Sequence, residues 1–425
     1  MKWLIIIAFV SINTYANEKE LSELWTLTQS NSERLKSEEA QLELMSLKKD
    51  RAGRHWIPRV MLGARSYKTN DPGSVLFNNL GQGAVEQEDF AEANINNPDD
   101  ETYTNTSLMI DLPLYEGGLK DNQNKMYKKL LESQQLNKEA TYTQSFSELF
   151  VDYGMISRNH LNSNLLNKIN RATKNILAKY KVGTKQNPVG YSGLLGLKSV
   201  INRVDAFLVQ LAADSDFRLN LIRFKTAQEN LSVKKEKSIS QFVAKFKESH
   251  SKRLSSTKLE NFKLKIDAIG YTSDMEQARY LPQVGLFASS NQYIGDRDEN
   301  NVQTMGVYLK WDLFNNDSYG RVAEAKKKII SMKQKYSYAA KKESSYKKSL
   351  ESALIALKKN DKTLKQTLNL LDEQTKISFK LFKRGKLSGI QMAQILNQKI
   401  DLIEQNILLE EKLITTTAQN YQLYN

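Results

Sequence analysis

The sequence contains no cysteine, which excludes disulfides, thiol catalysis and lipid attachment to an N-terminal cysteine. Its three histidines, at positions 55, 160 and 250, are isolated, and the motifs of zinc proteases, serine hydrolases and nucleotide-binding loops are absent. Asp111 and Asp312 could be read as a carboxylate pair, but we expect them to cap junctions between strands and helices. We therefore predict no enzymatic activity, no cofactor and no metal site.

The sequence also lacks an apolar run long enough for a transmembrane helix, which needs roughly 18 to 20 residues. The apolar segment 3–10 follows one lysine and precedes a small-residue cleavage site, Thr14-Tyr15-Ala16, a pattern typical of a secretory signal peptide. We expect residues 1–16 to be this signal peptide, the alternative being a buried N-terminal helix. Any membrane role would then fall to β-strands.

Acidic residues are outnumbered by basic ones, and the formal net charge is +14. In a cytoplasmic protein this balance would favour a nucleic-acid partner. Export argues against that partner, and the lysines are spread along predicted helices instead of lying on one element. We interpret them as solvated helix faces and predict no nucleic-acid binding.

Short passages of the sequence occur twice. Segment 56–64 (WIPRVMLGA) is echoed by 280–288 (YLPQVGLFA), and YKVG at 180–183 is echoed by FKRG at 382–385. Internal repetition indicates one structural unit built twice. We predict a first repeat over 17–226, an equatorial linker over 227–237 and a second repeat over 238–425.

Each repeat is predicted to contain a pair of strands. Proline cannot donate within a helix and restricts the residue before it. A helix over 18–54 should therefore end near Trp56, and Pro58 should lie at the start of a strand, with Tyr280 and Pro282 doing the same in the second repeat. Apolar and polar residues then alternate, which is typical of half-buried strands. The predicted strands cover about 56–67, 103–115, 280–290 and 302–314.

The segment between the first two strands, Asn70–Thr102, is rich in Gly, Asn, Asp and Pro and contains no lysine or arginine. We predict an acidic, solvated loop, with a specific contact to cations or lipopolysaccharide as the alternative. The corresponding segment 291–301 is much shorter, so the two strand pairs should be unequal.

Proline-free stretches over about 118–181 and 318–383 predict two long helices. At about 1.5 Å per residue, a helix of some 63 residues is about 95 Å long, far longer than a compact domain needs. Each helix is expected to turn at a glycine, Gly183 or Gly385, and to return as a second helix. The second long helix has a heptad pattern typical of a coiled coil, formed by Leu350, Leu354, Leu357, Leu364, Leu368, Leu371 and Phe382 and broken by Asp361, Thr375 and Ser378.

Strands with one apolar and one polar face, in an exported protein, are typical of a barrel wall between lipid and water. Four strands cannot close a barrel, because the smallest closed barrels need about eight. Open sheet edges are not tolerated in lipid, so several chains should share one barrel. The predicted fold class is mixed α and β, with a shared outer-membrane barrel continued by a helical tube.

The export signal, the WIPRV and YLPQV segments, the DLPLYEGG run at 111–118 and the YKVG and FKRG turns resemble the TolC family of outer-membrane efflux proteins, across the whole mature chain. The resemblance implies a homotrimer whose four strands per chain form one twelve-stranded barrel above an antiparallel α-helical periplasmic tunnel. It implies a periplasmic adaptor (membrane fusion protein) at the tunnel tip and an inner-membrane pump or ABC exporter that supplies the energy. The chain would be a passive exit duct for efflux or type I secretion, with drugs, metal ions and proteins all left open as cargo.

The resemblance also assigns roles at the two turns. Family members close the tunnel with a polar network between the tip helices and carry acidic rings just inside it. In an alignment on Gly385, the position of the gating arginine is Leu387, and the acidic rings become Gln391 and Gln394. A salt-bridged gate is therefore not expected. The residues assigned to the turns and to adaptor docking are Tyr180, Val182, Gly183, Thr184, Phe382, Gly385, Leu387 and Ser388.

Cations surround the turns instead of acids. We expect a basic entrance that prefers anions or acidic cargo, the alternative being that these side chains point outward to the adaptor. Residues 186–193 have no counterpart in the second turn, and we interpret them as an adaptor-specificity element, or else as a merely longer loop. The cations assigned to the lining are Lys181, Lys185, Lys383, Arg384 and Lys386.

A competing interpretation is an exported coiled-coil scaffold or adhesin of the cell envelope that conducts nothing. The alternating strands and the reversal of each long helix at a glycine favour the channel.

Overall fold

The computed structural model of the protein describes residues 18–181, 185–248, 256–316 and 319–424, and the predicted signal peptide, residues 1–16, lies outside them. The described chain is mostly helical with two small sheets, which is the mixed α and β composition predicted. It divides into two compact units. The described residues of the helical unit fall within Met1–Ala40, Leu136–Glu260 and Tyr338–Asn425, and those of the sheet unit within Gln41–Gln135 and Asn261–Ser337.

Groups of helices are separated by strands along the chain. The helices are α1 (Leu21–Asn31), α2 (Glu33–Gly53), α3 (Pro72–Gln82), α4 (Glu92–Asn96), α5 (Leu119–Leu177), α6 (Pro188–Thr226), α7 (Ile239–Glu248), α8 (Thr257–Ala278), α9 (Arg321–Lys383) and α10 (Gly389–Tyr424). The strands are β1 (Glu18–Lys19), β2 (Arg59–Thr69), β3 (Glu101–Glu116), β4 (Ser232–Val233), β5 (Gln283–Gly295) and β6 (Glu299–Lys310).

The prediction of one helix over 18–54 is wrong, because the backbone breaks at Ser32. Ser32 is extended (φ −68°, ψ 116°), and its N–H donates to Thr28 O at 2.9 Å, which ends α1. Its carbonyl oxygen accepts the N–H groups of Leu35 and Lys36, both at 3.1 Å, and so begins α2. Asn31 Nδ2 donates to Thr226 O, 2.9 Å away at the end of α6, so a tertiary contact fixes the break.

Two apolar clusters form the core of the helical unit. In the first, the Phe150 ring stacks on Phe242 with centroids 4.6 Å apart, between α5 and α7. In the second, Leu197 of α6 packs with Met392 and Leu396 of α10. The polar residues that interrupt the α9 heptads, Asp361, Thr375 and Ser378, are buried as well.

Two of the buried polar residues in the α9 seam make local hydrogen bonds. Asp361 Oδ2 accepts hydrogen bonds from Ser240 Oγ and Lys365 Nζ, both at 2.9 Å, and Thr375 Oγ1 donates to Leu371 O at 2.6 Å. These bonds offset part of the cost of burying the polar groups, although Asp361 Oδ1 is buried without a hydrogen-bond partner among the described residues. The helix therefore continues through the breaks in its apolar pattern.

The sheet unit contains an antiparallel four-stranded sheet in the order β2-β3-β5-β6. Its register is continuous except for a bulge between Pro113 and Tyr115 of β3. The strands β2 and β5 begin at Arg59 and Gln283, so the prediction that Trp56, Pro58, Tyr280 and Pro282 open them is wrong. Each proline directly precedes its strand, since it has no N–H to give to the ladder, and the two aromatic residues lie in the turns before it.

The acidic segment Asn70–Thr102, which was predicted to be a solvated loop, is partly helical. It contains α3, a 3-10 helix at Gln87–Phe90 and α4. The ends of α3 have recognisable signals: the Asp71 side chain accepts the Ser74 N–H at 2.8 Å, Pro72 occupies the first helical position, and Gly83 follows the end with φ of 72°.

Candidate functional site

One face of the four-stranded sheet is apolar over half of its length. The register places Val60 opposite Ile110, Ile110 opposite Ala288 and Ala288 opposite Met305, so these side chains share a face. Leu62 and Met305 are 76% and 79% exposed. A contiguous exposed apolar surface marks a site of interaction with a partner or with lipid. Its exposed members are Val60, Leu62, Leu108, Ile110, Leu286, Met305, Val307 and Leu309.

Aromatic side chains lie at the end of the sheet where β2 and β5 begin and β6 ends. Trp56, Tyr280 and Trp311 are exposed there, and Trp311 Nε1 donates to Tyr280 O at 3.1 Å. Trp and Tyr favour the boundary between lipid and water. Trp56 and Tyr280, predicted as strand starts, thus belong to an aromatic rim beside the apolar face.

Asp111 lies inside β3, opposite Arg59 of β2 and Phe287 of β5. The prediction that it caps a strand-to-helix junction is therefore wrong, because β3 continues to Glu116 before the chain reaches α5. The strand extends past Asp111 because the bulge after Pro113 lets pairing with β5 resume at Tyr115.

The acidic segment is held to the far end of the sheet by Arg297, in the turn between β5 and β6. Arg297 pairs with Asp89 of the 3-10 helix and with Glu101 of β3. A hydrogen bond from the Glu86 N–H and the Arg297 guanidinium hold the pKa of Asp89 below its usual value. This part of the segment therefore stays charged and anchored at neutral pH.

The helical unit brings together described residues that flank the two predicted turns. The Tyr180 and Phe382 rings stack with centroids 5.8 Å apart, and Tyr180 Oη donates to Gly190 O at 3.1 Å. The sequence placed an aromatic residue in each turn but held no sign that the two rings touch. Val182, Gly183 and Thr184, assigned to the same region, lie outside the described residues.

Two glycines, Gly193 of α6 and Gly389 of α10, let these helices approach closely beneath the Tyr180 ring. A Cβ atom added to Gly389 would lie 2.7 Å from Tyr180 Oη and 3.1 Å from Gly193 Cα. A side chain at either position would therefore force its neighbours to shift. These positions were not singled out as a packing contact from the sequence, although both are glycines near a helix start.

The start of α6 also differs from expectation. The helix begins at Pro188, where the Asn187 side chain accepts the Gly190 N–H at 3.1 Å. Much of the inserted segment 186–193 is therefore helical, and Gly193 lies within the contact described above.

The second turn contains a helix cap where the family would have gating groups. Gly385 has φ of 71°, in the left-handed region that reverses the chain. Ser388 N donates to Gln391 Oε1 at 3.0 Å, and Gln391 N donates to Ser388 Oγ at 3.2 Å, which is a capping box. Gln391 and Gln394 are both exposed, and the side chain of Gln391 is engaged with the start of α10. Leu387 and Phe382 pack against the second apolar cluster.

The five cations assigned to the turns are all exposed, and among the described residues none of them has an ion-pair partner. Both turns lie in long acid-free stretches: no Asp or Glu occurs from 153 to 204 or from 374 to 400. Lys179, Lys376 and Lys380, which were not among the predicted residues, add to the same positive charge. A count of acidic residues around each turn would have found this signal.

A buried polar layer lies between α5 and α10, farther along the helical unit. Asn162 Nδ2 donates to Glu410 Oε2 at 2.9 Å, and burial raises the pKa of the Glu410 carboxyl. Next to it, Arg158 Nη1 lies 2.7 Å from Glu411 Oε2. Two adjacent glutamates thus have opposite surroundings, one desolvated and one paired with a cation.

Within the described ranges, no helix is both long and apolar enough to cross a bilayer. In the same part of the chain, His, Cys, Asp and Glu side chains form no cluster with the arrangement of metal ligands.

Comparison of the sequence with known protein families and with curated proteins finds no match. Solved structures match the fold along almost its whole length. The Campylobacter jejuni CmeC outer membrane channel is 12% identical with a TM-score of 0.75, covering 95% of this chain and 86% of that one. The outer membrane protein VceC from Vibrio cholerae is 13% identical with a TM-score of 0.70, covering 94% and 96%. The Neisseria gonorrhoeae MtrE channel in its open state is 10% identical with a TM-score of 0.74, covering 95% and 88%.

This chain has the fold of bacterial outer-membrane channel proteins. The match extends over both the helices and the four-stranded sheet, and it agrees with the fold that the TolC-family resemblance implied.

Proposed function

We propose that the protein is the outer-membrane exit duct of a tripartite efflux or secretion system, in which it conducts cargo passively. The observation that carries the proposal is the sheet. One of its faces is apolar and exposed next to an aromatic rim, and among the described residues no strand pairs with the outer edges of β2 and β6.

Unpaired strand edges are costly in lipid, because water cannot satisfy their N–H and C=O groups. Three copies would supply twelve strands and remove every edge, with the apolar faces turned to lipid and the polar faces to the lumen. The trimer, the barrel and the two tandem repeats are parts of this proposal, supported by the fold of the channels named above. The helical unit would form the periplasmic tunnel.

Fractionation and electrophoresis test the duct. The protein should be found in the outer-membrane fraction. On a gel it should migrate with the mass of a trimer unless the sample is heated, and in planar bilayers it should form conducting pores. A soluble periplasmic protein without conductance would overturn the proposal and support the coiled-coil scaffold or adhesin instead.

The exposed tip supports docking of a periplasmic adaptor, with an inner-membrane pump or ABC exporter behind it. Tyr180 and Phe382 join the two turns into one surface, and the capping box fixes the start of α10. Site-specific cross-linking from Lys185 or Ser388 to a co-expressed periplasmic adaptor tests the docking. Its absence at both positions in an assembled complex would contradict it.

The unpaired cations at the turns support a basic entrance that favours anions or acidic cargo. Reversal potentials in a salt gradient should show anion preference, and Lys383→Glu with Arg384→Glu should shift it toward cations. The matched control is Lys326→Glu with Lys327→Glu, which makes the same charge change at the start of α9 and should leave selectivity unchanged. Clear cation selectivity of the unmodified channel, or no shift in the tip variant, would refute the basic entrance.

A further inference from the structure

Helix α3 lies on the polar face of the four-stranded sheet. Asn78 Nδ2 donates to Tyr67 Oη at 2.8 Å, and Asn105 Nδ2 donates to Asn78 Oδ1 at 3.0 Å. Tyr103 Oη donates to Asn79 Oδ1 at 3.0 Å. Successive side chains of a strand point to opposite faces of the sheet. Tyr67 on β2, and Tyr103 and Asn105 on β3, therefore lie on the face opposite Val60 and Leu108. The helix therefore lies on the side that would line the lumen.

The contact is close along the whole helix. A Cβ atom added to Gly81 would lie 2.8 Å from the Tyr293 ring, and Asn300 Nδ2 donates to Gly81 O at 3.2 Å. Gln82 Oε1 accepts the Asp298 N–H at 3.1 Å. Helix α3 thus contacts β2, β3, β5 and the start of β6, and it is part of the folded sheet unit.

The helix has an inverted amphipathic pattern. Its buried residues are Val75, Asn78, Asn79 and Gln82, so mostly amide side chains face the sheet. The opposite side presents Phe77, 71% exposed, and Leu80, 49% exposed. A surface helix normally buries its apolar side. The exposed pair therefore indicates a surface that the single chain leaves uncovered.

The barrel geometry of the proposed function identifies the occupant. Twelve strands spaced about 4.8 Å apart and tilted about 40° form a wall about 24 Å across. Three helices with side chains, each about 10 Å wide, fit together in a circle about 22 Å across. Helices held on the inner face of such a wall cannot remain apart, so each would present Phe77 and Leu80 to its two copies.

We propose that the α3 helices of three copies meet at the barrel axis and close the outer mouth with an apolar ring of Phe77 and Leu80. The inference rests on the proposed function, since it requires the trimeric barrel. An apolar constriction stops ions because water leaves it. The duct would then have an outer gate in the sheet unit, and cargo would have to displace α3 from the polar face to leave.

Single cysteines test the contact directly, because the chain has no other. Phe77→Cys in intact outer membranes should give covalent dimers on oxidation or with a short bismaleimide. Met305→Cys is the matched control: it is equally exposed but lies on the apolar face, and it should stay uncross-linked.

Conductance tests the gate. Phe77→Ser with Leu80→Ser should raise the open probability in planar bilayers at least several-fold, whereas Ile95→Ser, an apolar position of α4 in the same acidic segment, should not. A trimer that conducts but neither cross-links at position 77 nor responds to the double substitution would overturn the outer gate alone. Failure to form a conducting trimer would instead overturn the proposed function, and the outer gate with it.

Discussion

Arg297 holds Asp89 through a single nitrogen: its Nη1 lies 2.7 Å from Oδ1 and 2.8 Å from Oδ2 of the carboxylate. Its Nη2 lies 3.1 Å from Glu101 Oε1. The turn between β5 and β6 is thereby tied to both the 3-10 helix and the end of the acidic segment, close to where α3 packs on the sheet.

Arg297→Ala should release the acidic segment without unfolding the sheet. Loss of a partly exposed charged hydrogen-bond pair costs about 1 kcal/mol, so backbone amides of residues 86–101 should exchange about fivefold faster. Hydrogen-exchange mass spectrometry measures this. Arg279→Ala is the control. Arg279 directly follows α8 and pairs only locally with Glu276 of that helix, so this change should leave the exchange rates of residues 86–101 unchanged. Equal exchange in the two variants would contradict an anchoring role.

Gly81→Ala should loosen α3 from the sheet. The new methyl group meets the Tyr293 ring at 2.8 Å, and overpacking of this kind costs about 1–3 kcal/mol, only partly offset by the better helix propensity of alanine. Amide protection within α3 should fall. Gly73→Ala, whose Cβ would meet only Asp71 Oδ2 at 3.6 Å, should keep or raise that protection.

Glu410→Gln should stabilise the helical unit at neutral pH. Burial raises the pKa of Glu410, despite opposing effects of Asn162, Lys365 and Asn406, so ionisation in the folded protein costs free energy. The cost is absent below the ordinary carboxyl value of 4.5 and grows as pH rises through the raised pKa. The Tm of Glu410→Gln should therefore exceed that of the unmodified protein at pH 7 and converge with it at low pH.

The neighbouring Glu411→Gln is the matched control for this prediction. It removes a carboxylate 2.7 Å from the buried Arg158 guanidinium, leaving Asp214 as the remaining ion-pair partner at 3.2 Å. Loss of a charged hydrogen bond of this kind costs about 2 kcal/mol, so Glu411→Gln should lower the Tm at pH 7. A lower Tm in both variants at pH 7 would contradict the prediction, because it would show that the ionised Glu410 side chain stabilises the folded protein.

Gly389→Ala should separate the tips of α6 and α10. Its methyl group would collide with Tyr180 Oη at 2.7 Å, at a cost of about 1–3 kcal/mol. Thermal unfolding measures the loss, and Tyr180→Phe in the same chain should recover part of it, because the colliding oxygen is gone. At Gly270 in α8, a new Cβ would meet no atom within 4 Å beyond its chain neighbours and the backbone of its own helix, so Gly270→Ala should be neutral or stabilising by up to about 1 kcal/mol.

The strand alternation and the turn at Gly385 could be predicted from sequence because both are local. Alternation put Val60 and Leu62 on one face, and the register keeps them there. The break at Ser32 could not be predicted in this way, because its cause, the bond from Asn31 to Thr226, joins residues far apart in sequence.

The structure of the acidic segment was missed although signals for α3 were present. Asp71, Pro72 and Gly83 mark a helix start and end. The segment looked like a loop because asparagines occupy the inward positions, where a helix usually has apolar residues. The stacking of Tyr180 on Phe382 depends on how two distant helices pair, and no local pattern encodes that pairing.

The chain has no lysine or arginine between Lys68 and Lys120, a stretch that includes α3, the 3-10 helix, α4 and all of β3. Exposed loops are the usual sites of proteolytic nicking. Enzymes with trypsin-like specificity cut only after lysine or arginine, so they find no bond to cut in this segment. If it faces the medium, as proposed, this segment is resistant to that class of secreted protease by composition alone, and Arg297 in the turn between β5 and β6 is a nearby residue after which such an enzyme could cut.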